Sequence, residues 1–178
     1  MKTLWAASLI AGLSLAGGAM AASPQPTKPV DPARFFTGRW YEIGRKPQAL
    51  TNGCVAGWTE YSPGEKGRVA VLDACHDKTP GGKLKTLGGP ADILDTASHA
   101  KLLVHYRFGI LPIPKEYWIL DHDEDYTWFI EVSPSFDELW IYTRAANPSP
   151  ELLQSLIGRA KGFGYDTNRL EFPTQEGK

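Results

Sequence analysis

From Arg39 onward, apolar and aromatic residues recur at alternate positions in short runs, each broken by Gly, Pro or Asp. A period of two turns one face of each run toward a core, and closely spaced turn residues favour antiparallel neighbours, so the chain reads as all-β. Eight strands are predicted near 39–46, 54–62, 68–75, 84–94, 101–108, 116–122, 126–132 and 138–144. Eight strands at hairpin spacing close into an antiparallel up-and-down barrel, which removes the exposed sheet edges and leaves room inside for one small ligand. Gly88-Gly89-Pro90 is expected to interrupt the fourth strand and bend it around a barrel corner.

The periodicity changes after Asn147. Ser149 is a cap residue, Pro150 suits a first helical position, and Leu152, Leu153, Leu156, Ile157 and Ala160 form one stripe, which predicts a helix over 150–162 lying on the outside of the barrel. Leu170 to Phe172 are read as a short ninth strand. At the other end, Lys2, the apolar stretch Leu4 to Leu15 and Ala19-Met20-Ala21 make a secretory signal peptide over 1–21. Residues 22–30, rich in proline, are expected to be an extended leader outside the fold, and the barrel domain is placed at 31–173.

The first cysteine is Cys54, so none stands at the cleavage site to take a lipid. An exported, periplasmic and soluble protein is expected, at most peripheral to an outer membrane. With 19 basic and 20 acidic residues spread along the chain, nothing suggests a nucleic-acid partner. Cys54 and Cys75 are the only cysteines, and an oxidising compartment would pair them. A turn over Ser62 to Gly67 would set Cys54 directly opposite Cys75, giving a cross-strand disulfide worth roughly 3 kcal/mol.

Other polar groupings read as structural. Asp121, Asp123 and Asp125 have the alternate spacing that opens a calcium loop, but Tyr126 and Val132 stand where its Gly and Glu would fall. His76, His99, His105 and His122 lack paired ligand spacing, and no nucleophile elbow or phosphate loop is present, so no metal, cofactor or catalytic residue is assigned.

Three motifs occur in order: Phe36-Thr-Gly-Arg-Trp-Tyr-Glu-Ile-Gly44, Tyr117-Trp-Ile-Leu-Asp-His-Asp-Glu-Asp-Tyr126 and Leu139-Trp-Ile-Tyr-Thr-Arg144. Together they resemble the lipocalins, in particular bacterial outer-membrane lipocalins and apolipoprotein D. The resemblance implies an eight-stranded calyx with one C-terminal helix outside. It makes Gly38, Trp40, Asp125, Tyr126 and Arg144 structural, with Arg144 packed across the Trp40 indole at the closed end. The usual Thr-Asp-Tyr of the middle motif appears as Glu124-Asp125-Tyr126, so one turn hydroxyl is missing.

In the seventh strand Trp128, Ile130 and Val132 share one face and Glu131 lies on the other. Burying an unpaired carboxylate is costly, so the even face is expected inward and Glu131 in solvent. Alignment through Arg144 by resemblance turns Trp140, Tyr142 and Tyr117 inward. In the fifth strand Leu102, Val104, Tyr106 and Phe108 oppose Leu103, His105 and Arg107. Polarity sends Arg107 outward, whereas a reversed register would offer Arg107 and His105 to a carboxylate or phosphate headgroup.

The resemblance implies binding, storage or transport of a fatty acid or lysophospholipid in the cell envelope, by a monomer or homodimer. Two other readings stay open: a lipocalin-fold enzyme on an apolar substrate, which inward titratable groups with shifted pKa values would favour, and an envelope interaction module with a barrel filled by its aromatics. The mature N-terminus is expected at Ala22 without lipid, and intact mass of the exported protein checks this directly.

Overall fold

The computed structural model describes residues 23–175; the expected signal peptide and cleavage site fall outside them. A one-turn helix α1 (Pro32–Phe35) precedes eight strands: β1 (Gly38–Arg45), β2 (Cys54–Pro63), β3 (Val69–Asp77), β4 (Leu84–Ile93), β5 (Lys101–Phe108), β6 (Leu111–His122), β7 (Trp128–Val132) and β8 (Leu139–Thr143). Each strand pairs antiparallel with the next, and β8 returns to β1 to close the barrel. Helix α2 (Pro150–Gly162) follows, with Ser149 accepting from the Leu152 amide and Pro150 in its first turn. The ninth strand reduces to one bridge, Arg45 to Glu171.

Two apolar cores result. The inner one gathers Trp40, Tyr61, Val71, Leu102, Val104, Phe129, Trp140 and Tyr142 inside the barrel. The outer one places Leu120, Trp128, Ile130, Val132, Leu139 and Ile141 beneath Leu156 and Ala160 of α2. Every residue of β7 and β8 is buried, because helix and cavity cover opposite faces of the same strands.

The closed end is an aromatic plug. Phe35 is wholly buried, with ring centroids 5.1 Å from Trp40, 4.9 Å from Phe129 and 5.6 Å from Tyr126. The Arg144 guanidinium lies 3.5 Å from the Trp40 ring centroid and donates to the Thr37 and Arg39 carbonyls at 2.8 and 2.9 Å. Gly38, at φ 64°, occupies the left-handed region beside that guanidinium. In the middle motif Asp123 does the work of the missing hydroxyl, accepting from the Thr127 and Trp128 amides at 2.7 and 3.1 Å. Tyr126 turns the chain at φ 53° and its hydroxyl accepts from the Asp31 amide.

Three expectations change. Residues 23–30 are extended but lie along the barrel: the Ser23 amide donates to the Pro134 carbonyl, that of Thr27 to Leu120 and that of Val30 to Ser98. Cys54 and Cys75 are bridged, with Cα atoms 5.5 Å apart, yet Cys54 stands opposite Asp77, and a bulge at Ala56 and Gly57 makes the bridge diagonal. Gly88-Gly89-Pro90 does not interrupt β4. Gly89 instead admits the His105 carbonyl, which a Cβ would meet at 2.2 Å.

Arg144→Ala removes a cation from an indole face and leaves two carbonyls without their donor. It should lower unfolding free energy by about 3 kcal/mol, as read by chemical denaturation, while changing ligand affinity less.

Candidate functional site

A cavity of about 540 Å³ opens from the barrel interior to the end opposite the plug. This is within the range of small-molecule sites, so the interior is not filled by its aromatics. Its mouth carries Leu50, Leu84, Phe108 and Ile113 with Lys83, Lys85 and Lys115.

The strand pairings decide which side chains reach this space. Residues directly opposite in an antiparallel pair emerge on the same face, and Glu131 stands opposite Trp140, as Phe129 does opposite Tyr142. Trp140 and Tyr142 line the cavity, so Glu131 does too. The expectation that Trp128, Ile130 and Val132 face inward is therefore corrected: all three pack outside under α2. Polarity misled because both faces of β7 are buried, so a charged residue had no solvent side to choose.

Tyr106 and Tyr117 line the cavity as expected. Arg107 does not. It is exposed on the outer face of β5, where neighbouring His105 pairs with Asp92 at 2.7 Å, so the reversed register is excluded.

Three carboxyls that were not foreseen as site residues face inward: Glu42 from β1, Asp73 from β3 and Glu131 from β7. Two of them had a readable signal. Glu42 shares the face of Trp40, and Asp73 shares that of Val69, Val71 and Cys75, so a carboxyl stood on an otherwise apolar strand face. Glu42 is held by Arg45, which also donates to Glu171 at 2.7 Å and to the Cys54 carbonyl at 2.8 Å. Asp73 accepts from the Tyr106 hydroxyl at 2.5 Å, and that hydroxyl lies 3.4 Å from that of Tyr117.

Glu131 is 5% exposed, and among the described residues no donor reaches its carboxyl. Burial pushes its pKa well above the ordinary carboxylate range, and the charges of Asp73 and Glu42 push it further. Burial likewise raises Glu42 and Asp73. Desolvation holds the hydroxyls of Tyr61, Tyr106, Tyr117 and Tyr142 protonated, well above the usual phenol range. Among the described residues no cluster of His, Cys, Asp and Glu is arranged to hold a metal ion.

A family model for the lipocalin-like domain matches residues 30–175. The chain belongs to the lipocalins. It is 27% identical over 156 residues to the outer membrane lipoprotein Blc of Vibrio cholerae, covering 86% of this chain and 89% of that one. It is 30% identical over 155 residues to mouse apolipoprotein D, covering 82% and 79% respectively. Insecticyanin from Manduca sexta superimposes with a TM-score of 0.70 at 18% identity over 87% of each chain, a likeness of fold.

Because the folded state raises the Glu131 pKa, its contribution to stability is full below the unfolded value near 4.5 and is lost as pH rises through the folded value. In the ligand-free protein Glu131→Gln should therefore melt above the parent at pH 8. Thermal scans should show the gap closing as pH falls toward 4.

Proposed function

We propose that this lipocalin binds and carries a small amphipathic molecule within its barrel in the cell envelope. The observation that carries the reading is the cavity itself: open at one end, sealed by the Phe35–Trp40–Phe129 plug at the other, and lined largely by apolar and aromatic surface. A fatty acid or lysophospholipid, the classes implied by the family resemblance, suits its size. Burying about twelve methylenes contributes roughly 10 kcal/mol gross, and association costs at least about 4. What is left corresponds to a dissociation constant on the order of tens of micromolar, so tighter binding requires contacts to the polar end.

The mouth supports delivery from a membrane. Phe108, Ile110 and Leu111 at the tip of the β5–β6 hairpin are 64%, 97% and 62% exposed, beside the lysines of the rim. Apolar side chains entering the interface and lysines facing anionic headgroups are the two contributions that hold a peripheral protein on a bilayer. An envelope location fits the name of the Vibrio relative, an outer membrane lipoprotein, and the disulfide fits an oxidising compartment.

Catalysis is the second reading, favoured by one observation: Glu131 and Asp73 are inward carboxyls with raised pKa values, the signature of a general acid. Native mass spectrometry of protein from its own envelope, followed by extraction, separates the two. A carrier releases one amphiphile unchanged after prolonged incubation, and an enzyme releases a product.

Ligand entry should change tryptophan fluorescence, with Trp140→Phe removing a large part of the signal. Ile110→Asp should weaken binding to vesicles of phosphatidylethanolamine and phosphatidylglycerol several-fold in a sedimentation assay. It should leave the affinity for a soluble ligand nearly unchanged.

A further inference from the structure

The deepest accessible part of the cavity is more acidic than its mouth. Tyr61 and Val71 stand opposite each other next to the plug, and Asp73 is the next inward residue along β3 toward the opening. On β7, Glu131 is likewise the next inward residue beyond Phe129, which forms part of the plug. A molecule entering from the mouth passes Leu84, Phe108 and Ile113 and meets these two carboxyls before the aromatic floor.

Of the four cations that line the cavity, three are held in ion pairs, while Lys83 stands at the mouth and the Lys115 charge only partly offsets the rise in the Glu131 pKa. Arg45 is paired with Glu42 and Glu171, Lys115 with Glu138 at 2.7 Å, and Lys85 with Asp77 at 2.6 Å. Asp73 has the Tyr106 hydroxyl, and Glu131, nine-tenths or more buried and lining the cavity, has no hydrogen-bond partner among the described residues. A buried acceptor of this kind is expensive unless something pairs with it. Tyr106, Tyr117, Trp140 and Tyr142 line the same space, and aromatic rings attract a cation rather than an anion at their faces.

We propose that the barrel floor is a site for an ammonium group: the ligand is an amphiphile whose positively charged nitrogen seats between Glu131 and Asp73, with its apolar part extending toward the mouth. This deepens the carrier reading and rests on it. An ammonium donates up to three hydrogen bonds and supplies the charge that both carboxyls lack. A fatty-acid carboxylate arriving head-first would add a third uncompensated acceptor, so it is disfavoured at this position. The raised pKa values of the empty site agree with two carboxyls waiting for a counter-charge.

The ammonium has two natural sources, a simple long-chain amine and the ethanolamine head of a lysophospholipid. The test titrates full-length mature protein at pH 7 with dodecylamine, dodecanol and dodecanoate. It then uses lysophosphatidylethanolamine against lysophosphatidylglycerol, with tryptophan fluorescence and calorimetry as readouts. Dodecylamine should bind about tenfold or more tightly than dodecanol, and dodecanoate most weakly. In Glu131→Gln and Asp73→Asn, each checked for a cooperative melt, the amine-to-alcohol ratio should fall toward one. Preference for the ethanolamine lysolipid over the glycerol one identifies the lipid source, and preference confined to dodecylamine identifies a simple amine.

Equal affinity for amine and alcohol, or tightest binding of dodecanoate, overturns the ammonium site while the carrier reading stands. Failure of all five probes to bind overturns both.

Discussion

An antiparallel pair fixes which side chains share a face, and in this barrel that constraint acts hardest where β7 meets β8. Glu131 opposite Trp140 and Phe129 opposite Tyr142 commit both strands at once. The aromatics of β8 go to the cavity, so their partners follow, and Trp128, Ile130 and Val132 are left for the helix. Turning Glu131 out would bury it under Leu156 and Ala160 and send Trp140 with it. The inward carboxyl is thus the less costly of two buried placements.

The closed end makes that arrangement rigid. Arg144 ties the last strand to the carbonyls before and within the first, across the seam where the barrel closes, and Phe35 fills the space beneath. The cross-linked β2–β3 hairpin braces another part of the wall. A wall held in this way cannot collapse onto its cavity to shield Glu131 and Asp73, so their desolvation persists until a ligand relieves it.

Much of this was legible in the residues. The helix and seven of the strands lie within two positions of where alternation and capping put them, because period-two patterns and the Ser149-Pro150 start are local signals, while β6 begins five residues earlier, at Leu111. The turn to Trp40 and Arg144 was legible through the family motifs. Register was harder. The Ala56–Gly57 bulge shifts the β2–β3 pairing without altering hydrophobicity, and α1 is too short to leave a periodic trace. For Glu131 the rule that charge seeks solvent failed because the helix that removes the solvent is distant in sequence. Glu42 and Asp73 could have been found, each being a carboxyl on a strand face otherwise apolar or small.

The leader strapped to the barrel has a geometric consequence of its own. It runs from Ser23, bonded beside the β7–β8 hairpin, to Asp31 under the Tyr126 hydroxyl at the sealed end. Because β7 leaves the plug at Trp128 and ends at Val132, that hairpin belongs to the open side of the barrel. Whatever is joined ahead of Ser23 is therefore delivered to the entrance rather than the floor. A bead, a fused domain or a surface coupled there would sit beside the ligand's path.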